Sequence, residues 1–258
     1  MVPVVGADLS QWLFPDELRE LVAPLLPSFT ARPQGGGTAP CDERAVFTAW
    51  TKAGLWRRLH RAVLDEPGAR GEVDWTSAII DAASVRTKRK GILTWPNPVD
   101  RGKRGSELHV LSDAQGIPPA VAVSGANLYD SQAFKPLIRG IPAVRSRRGP
   151  RRRRPGRLRA DEAYFSADHL AWLREHGLVP RIARPGIESG ERLGRHRWKI
   201  ERSIARLFGY RRLTVRYERT GSHFLALLGL AAALTCYKKL SRLKSGSGRP
   251  LRSPAART

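Results

Sequence analysis

A change in hydrophobic spacing near Val73 constrains the fold more than any other feature of the sequence. Before Val73, apolar residues recur at helical spacing, and after it come short apolar runs of the length of β-strands. The first of these runs, Trp75–Asp81, ends at an acidic residue. The sequence therefore predicts a helical leader followed by a domain that is built on a sheet.

Two more apolar runs follow, after a polar and basic loop. Leu108–Leu111 and Pro119–Val123 are joined by a segment from Asp113 to Gly116 whose residues are typical of a hairpin turn. The three runs predict three consecutive strands, and the last two of them should pair antiparallel.

The second half of the chain alternates predicted helices with short predicted strands. These are a helix that Asp130 or Ser131 caps and that ends near Gly140, a strand at Leu158–Tyr164 with Asp161 inside it, a helix from the cap Ser166 to Gly177, a strand at Leu178–Ile182, and helices at Glu191–Phe208 and Ser222–Leu240. After the leader, the order is β-β-β-α-β-α-β-α-α. This order fits an α/β fold, an RNase H-like mixed sheet flanked by helices.

Three regions are expected along the chain. Residues 1–70 contain two predicted helices, Pro15–Leu26 and Asp42–Leu64, and form a small helical region. Residues 71–244 form the RNase H-like domain. Residues 245–258 are rich in Ser, Gly, Pro and Arg, which predicts a disordered basic tail.

The charge of the chain points to a polyanionic partner. It has 46 Lys and Arg against 23 Asp and Glu, a formal net charge of +23. Most of the cations are arginines, which favour phosphate because the planar guanidinium binds it at two points, although GC-rich codons would also raise the arginine content. Arg145–Arg159 alone has nine arginines and is expected to be a solvated loop or arm. A ribosome-associated basic protein would explain the arginines alone.

Cysteine content and hydropathy favour the cytoplasm. Cys41 and Cys236 are far apart and belong to no CxxC pair, so neither a disulfide framework nor a zinc site is indicated. The first residues do not have the pattern of a signal peptide. The most apolar stretch, Phe224–Tyr237, is too short to cross a bilayer core of ~30 Å, so we expect a buried helix and no membrane association.

Three acids lie where carboxylates from separate elements could meet, which is the arrangement that two-metal phosphodiester chemistry requires. Asp81 ends the first predicted strand, Asp161 lies in the strand after the first helix of the domain, and Glu201 lies on a late helix. Two of them have simpler explanations: Asp81 could cap a turn, and Asp161, beside Glu162, could balance the arginine-rich segment.

Glu201 is predicted to lie on the apolar stripe of its helix. The residues at helical spacing from it are Trp198, Ile204, Ala205 and Phe208. A carboxylate on such a stripe needs compensation, because an unpaired buried charge costs several kcal/mol. The compensation is either an ion pair with Arg197, one turn earlier, or a metal ion.

Five stretches of the chain resemble, in order, the blocks of the DDE transposases of bacterial insertion sequences, specifically those of the fifth insertion-sequence family. They read IIDAASVR, NPVDRGKRGSELHVLSDAQGIP, SGANLYDSQAF, LRADEAYFS and RHRWKIERSIARLFGYRRL, and the resemblance covers about Val73 to Leu240. It implies that Asp81, Asp161 and Glu201 are catalytic residues that bind Mg²⁺ or Mn²⁺.

The resemblance also implies the reaction and its partners. The protein would cleave double-stranded DNA at the terminal inverted repeats of an element and transfer the strands into target DNA. It would act as a homodimer in a synaptic complex, in the cytoplasm and associated with the nucleoid. The DNA-binding candidates are Arg197, which corresponds to the family's arginine four residues before the Glu, and the further basic residues Arg86, Lys103, Arg202, Arg211 and Arg212.

The sequence departs from the family pattern in three places. The second block commonly reads Asp-Lys-Gly-Tyr but here is Asp-Glu-Ala-Tyr, from Asp161 to Tyr164. Gly194 and Phe208 stand where the family has Tyr and Lys. The leader resembles a shortened version of the family's DNA-binding region, with the gap at Phe47–Ala49. The alternative is therefore a truncated, catalytically impaired remnant that only binds DNA.

Overall fold

The computed structural model describes residues 20, 23–25, 43–186 and 190–246. Most of the predicted helix Pro15–Leu26 and the predicted tail from residue 247 onward lie outside these residues. Within them, Ala23–Leu25 forms one turn of 3-10 helix.

The single helix predicted at Asp42–Leu64 is divided into two helices in the structure. Helix α1 spans Glu43–Lys52 and helix α2 spans Leu55–Arg70. They are separated at Gly54, whose φ of 69° lies in the left-handed region that favours glycine. Helix α2 also continues beyond the predicted end at Leu64 and accommodates Pro67 in its last turns.

A six-stranded mixed sheet forms the centre of the domain. Five of its strands were predicted, and the short strand Trp95–Pro96 lies in the stretch that was predicted to be a basic loop. The strands are β1 (Ala78–Arg86), β2 (Trp95–Pro96), β3 (Arg104–Asp113), β4 (Ala120–Gly125), β5 (Arg157–Ala160) and β6 (Val179–Ile182). β1 is antiparallel to β3 and parallel to β5, and β6 is parallel to β5. Both β2 and β4 pair antiparallel with β3, at different parts of it, and the path of the sheet is β2-β3-β1-β5-β6. This arrangement confirms the RNase H-like fold class.

The β3–β4 hairpin was also predicted correctly. The backbone N–H of Asp113 donates to the carbonyl of Ile117 at 2.8 Å, and Gly116 adopts the positive φ of 79° that closes the turn. The carboxylate of Asp113 accepts hydrogen bonds from the backbone N–H groups of Gln115 and Ile117. These local bonds fix the register of β3 against β4.

The helices that follow agree with the predicted order. They are α3 (Asp130–Arg139), α4 (Ala167–Glu175), α5 (Gly190–Phe208), the one-turn helix α6 (Arg211–Thr214) and α7 (Gly221–Gly246). Ser166 caps α4, as predicted, by accepting from the N–H of His169. The prediction that Asp130 or Ser131 caps α3 was wrong, because the cap position is Tyr129 and no side chain bonds there. Helix α7 also includes Ser245 and Gly246, which were assigned to the tail.

Two apolar cores cover the two faces of the sheet. The first core joins Ile80 and Leu111 to residues of α2, α3, α4 and the second half of α7. The second core joins Ile79 and Val110 to α5 and the first half of α7. Side chains of neighbouring residues along a strand point to opposite faces. The β1 residues that alternate with Ile79 therefore face the second core, and those that alternate with Ile80 face the first core.

Helix α7 is long and apolar enough between Gly221 and Leu240 to satisfy the length and composition of a membrane span. In the fold, however, Phe224, Leu228 and Ala232 of this helix are fully buried against the sheet. Their burial identifies α7 as a core helix, which is what the sequence predicted for this stretch.

Candidate active site

Asp81 lies in the middle of β1, so the prediction that it ends the strand was wrong. The strand continues for five residues to Arg86, and Asp81 pairs with Val110 of β3. It lies on the face of the second core, because Ile79 and Val110 belong to that core. Its side chain is half-buried, and its Oδ1 accepts from the backbone N–H of Ala82 at 2.9 Å.

Asp161 follows the last residue of β5 instead of lying inside the strand. Its backbone is still extended, and its Oδ1 accepts from the N–H of Ala163 at 3.1 Å, so it caps a 3-10 turn at Glu162–Tyr164. The neighbouring Glu162 is exposed. Asp161 therefore has a local hydrogen bond that fixes its position at the end of β5.

The pairing of β1 with β5 brings the two aspartates to the same level of the sheet. Ile79 pairs with Arg159, and Asp81 and Asp161 each lie two residues further along these parallel strands. Two residues along a strand restore the same face, so both carboxylates are on the side of the second core. Asp81 and Asp161 are called the aspartate pair below.

The predicted burial of Glu201 on an apolar stripe was wrong. Among the residues of α5 from 198 onward, whose side chains are described, Ile200, Ser203 and Leu207 are buried, whereas Glu201 is exposed and Trp198 is half-exposed. Ile200 and Leu207 pack in the second core. Glu201 is therefore next to the packed face of its helix, and the desolvation argument for a metal ligand at this position no longer holds.

A group of polar residues on the opposite face of β3 was not anticipated. Glu107 and His109 point toward the first core, with Asp130 at the start of α3 and Tyr164 after β5, and these four are called the inner polar cluster. His109 is 1% exposed, and its Nε2 is 2.8 Å from the hydroxyl of Ser124. Its Nδ1 lies 3.9 Å from Oδ1 of Asp130.

Burial dominates the protonation of this cluster. It lowers the pKa of His109 to about 4, so the imidazole is neutral at neutral pH. Burial raises the pKa of Asp130, and the charge of Asp161 raises it further. Burial and the nearby carboxylates of Asp130, Asp161 and Asp81 raise the pKa of the Tyr164 hydroxyl. The inner polar cluster is thus electrostatically coupled to the aspartate pair across the sheet.

The sequence did contain a signal for this cluster. Glu107 and His109 alternate with the apolar Leu108 and Val110 on a strand whose two faces are both covered by helices. A buried polar residue on such a strand needs partners. Its partners Ser124 and Asp130, however, come from elements whose position the sequence alone does not give.

The basic candidates are mostly exposed. Lys103, Arg202, Arg211 and Arg212 lie at the surface. Arg86 makes a two-point ion pair with Asp100, with Nε–Oδ2 at 2.5 Å and Nη2–Oδ1 at 2.9 Å. This ion pair uses two of the five guanidinium N–H groups of Arg86 and neutralises part of its charge. The side chain of Arg197 lies outside the described part of the chain.

The described residues bring together two carboxylates of the predicted metal site but not a third ligand. Among the described residues, no three His, Cys, Asp or Glu side chains are grouped closely enough to hold a metal ion. The aspartate pair still offers carboxylate oxygens, the ligands that Mg²⁺ and Mn²⁺ prefer. These residues fit the chemistry of such an ion, but a third ligand has to approach from elsewhere.

Comparison with known proteins identifies the class. Residues 76–236 match the family model described as the transposase DDE domain. This range covers most of the chain and contains Asp81, Asp161 and Glu201. The protein belongs to the transposase DDE domain family.

Two relatives are transposases of bacterial insertion sequences. The chain is 42% identical over 149 residues to a putative transposase for insertion sequence element IS402 of Burkholderia cepacia, covering 58% of this chain and 71% of the relative. It is 24% identical over 218 residues to the transposase for IS1106 of Neisseria meningitidis serogroup B, covering 81% of this chain and 66% of that relative.

Among solved structures, the piggyBac transposase synaptic complex with hairpin DNA matches with a TM-score of 0.46 at 8% identity. The match covers 84% of this chain and 57% of that chain. At this TM-score the likeness adds nothing to the family assignment, which depends on the sequence matches.

Proposed function

We propose that this chain cleaves DNA at the ends of an insertion sequence and joins the strands to target DNA, in a reaction that depends on Mg²⁺ or Mn²⁺. The observation that carries the proposal is the aspartate pair, two carboxylates at one level of adjacent parallel strands in a transposase DDE domain. Two such carboxylates can hold hard divalent ions beside a phosphodiester.

Glu201 is the third proposed ligand, on the geometry of α5. The hydroxyl of Ser203 donates to the carbonyl of Gly116, so that side of α5 faces the β3–β4 hairpin. Glu201 is two residues from Ser203 and therefore about 160° away around the helix. It extends from the side opposite the hairpin, and Ile200 beside it packs in the same core as Ile79. Glu201 would complete the ligand set only if α5 moves toward the aspartate pair when DNA and metal bind.

The roles of the residues follow from their positions. Asp81 and Asp161 would hold the ions, and Glu201 would complete the ligand set when DNA is bound. When bound, the ions activate the attacking oxygen and stabilise the charge that develops on the phosphate. The exposed candidates Arg86, Lys103, Arg197, Arg202, Arg211 and Arg212 would bind the DNA backbone. Action as a homodimer in the synaptic complex, and association with the nucleoid, are part of the same proposal.

A cleavage assay with matched acidic variants tests the proposal. The purified protein is incubated with a labelled duplex that carries the element's terminal repeat, with Mg²⁺ or Mn²⁺, and separately with EDTA. We expect metal-dependent strand cleavage by the wild type, its loss in Asp81→Ala, Asp161→Ala and Glu201→Ala, and its retention in Glu162→Ala. Glu162 is the control because it is an exposed acid directly beside Asp161.

The outcomes separate the proposal from the remnant that only binds DNA. If the wild type binds the duplex but cuts it no better than Asp81→Ala, the enzymatic proposal fails and the remnant stands. If only Glu201→Ala cuts like the wild type, the third ligand is a different residue. The assignment to the fifth insertion-sequence family and the shortening at Phe47–Ala49 stay predictions.

A further inference from the structure

A groove rich in arginine lies on the molecule away from the aspartate pair. It has a volume of about 610 Å³ and lies between α2, the turn after α3 and the first half of α7. Five arginines line it and define what is called the arginine groove: Arg57, Arg58, Arg61, Arg139 and Arg153. No Asp or Glu is among its described lining residues.

Among the described residues, no carboxylate neutralises the arginine groove. Within the described part of the chain, none of its five arginines forms an ion pair with a carboxylate, whereas Arg86 and Arg151 elsewhere do. Arg139 contacts the protein through the ring of Trp172, 5.3 Å from its guanidinium carbon. Five exposed arginines that form no ion pair with the described carboxylates give the groove a positive potential, which favours an anionic partner.

The arginine-rich segment is held against the groove by specific bonds. Arg151 donates through Nη1 to both carboxylate oxygens of Asp65 on α2, each at 2.8 Å. The backbone N–H of Arg145 donates to the same carboxylate at 2.8 Å. Val144 and Arg152 pair through their backbones. These contacts dock the segment on α2 and bring Arg153 to the groove, so its position there is not that of a loose surface loop.

The remaining lining suits a close approach of a phosphate chain. Small residues such as Gly140, Ala226 and Gly229 leave the guanidinium groups accessible. His60 is neutral there, because burial lowers its pKa to about 4, and its Nε2 bonds the carbonyl of Pro118. Recognition in the groove therefore depends on arginine, which binds phosphate oxygens at two points.

We propose that the arginine groove binds the sugar-phosphate backbone of duplex DNA, at a surface separate from the aspartate pair. The groove borders the start of β4, and β3 separates β4 from β1. The arginines lie on α2, at the end of α3 and in the segment after it, whereas the aspartate pair lies on β1 and after β5. DNA in the groove would contact α2. This helix belongs to residues 1–70, the region whose resemblance predicted DNA binding. The choice of DNA as the polyanion rests on the proposed function.

The test measures binding, in a background that cannot cleave. All proteins carry Asp81→Ala, and the affinity for a labelled duplex DNA of arbitrary sequence is measured as a function of salt concentration. Each phosphate contact contributes about 0.9 to the slope of log K against log salt. We expect the single variant Arg61→Ala to lower the magnitude of this slope by about one, and the double variant Arg57→Ala/Arg61→Ala to lower it by about two. Arg61→Lys, which keeps the positive charge, should have the slope of the parent protein.

Arg174→Ala is the matched control, because Arg174 is an exposed arginine on α4 outside the groove. The proposal is overturned if the groove variants bind with the slope of Arg174→Ala. If unlabelled duplex RNA displaces the labelled DNA as well as unlabelled duplex DNA does at equal phosphate concentration, the choice of DNA as the partner is wrong. Failure of cleavage by the wild type affects only the proposed function, since this assay measures no cleavage.

Discussion

Asp81 of β1 and Asp161 beyond β5 lie at the same level of neighbouring parallel strands, each two residues past the pair Ile79–Arg159. Two half-buried carboxylates on one face of a sheet form a local concentration of negative charge inside a protein of net charge +23. Carboxylates in this position offer the oxygen ligands that a hard divalent cation prefers.

Divalent ions should therefore stabilise the fold. A ligand that binds only the native state at about 100 times its dissociation constant adds about 2.7 kcal/mol to the free energy of unfolding. We expect Mn²⁺ to raise the thermal unfolding midpoint of the wild type and EDTA to reverse the effect. Asp81→Ala should show no such rise, while Glu162→Ala should behave as the wild type does. Equal responses in Asp81→Ala and wild type would place the ion elsewhere.

Tyr164→Phe should preserve or increase stability. The Tyr164 hydroxyl is buried and has no hydrogen-bond partner within the described part of the chain. Removing an unsatisfied buried hydroxyl while keeping the ring, which packs near Phe134, should raise the free energy of unfolding by up to about 1 kcal/mol. Urea denaturation measures this, and a loss of stability would mean that the hydroxyl has a partner in solution.

The sheet and the two aspartates could be predicted from the sequence for a physical reason. Strands with both faces covered are short apolar runs, and an acid inside or after such a run stands out. This made Asp81 and Asp161 candidates, but their assignment as metal ligands rested more on the resemblance to the DDE blocks. Their exact places in β1 and after β5 were missed, because the ends of strands depend on pairing with distant segments such as Arg104–Asp113.

The orientation of α5 could not be read from its sequence. Apolar Trp198 suggested a buried stripe that includes Glu201, but the face that packs on the sheet carries Ile200 and the buried Ser203. An amphipathic pattern defines a helical period, whereas the sheet and the β3–β4 hairpin decide which residues are covered. The inner polar cluster was missed for the same reason, since His109 meets Asp130 only after the chain has folded.

Arg216 should be essential for stability although it is remote from the aspartate pair. Its side chain is fully buried and donates to the backbone carbonyls of Ile92, Leu93 and Glu218 and to the hydroxyl of Ser106. It thereby fixes the loop after β1 against the segment before α7.

Arg216→Ala removes the donor to the carbonyls of Ile92 and Glu218 and leaves the Leu93 carbonyl only the hydroxyl of Ser106, so it should lower the free energy of unfolding by about 3 kcal/mol. Arg216→Lys should recover only part of that loss, because an ammonium group does not have the planar geometry of the guanidinium. Arg219→Ala, at an exposed arginine three residues away, is the control in chemical denaturation. If Arg216→Ala unfolds at the denaturant concentration of Arg219→Ala, the buried network does not stabilise the fold.

Stability should fall in mild acid because of His60. Burial lowers its pKa from 6.5 to about 4, so the folded state keeps the imidazole neutral where the unfolded chain binds a proton. The stabilisation is fully present above about pH 6.5 and is lost as the pH falls through about 4. The difference corresponds to about 3 kcal/mol. We expect His60→Gln, whose amide can still donate to the carbonyl of Pro118, to show a flatter dependence of unfolding free energy on pH across this range. Parallel curves for the wild type and His60→Gln would contradict the assignment.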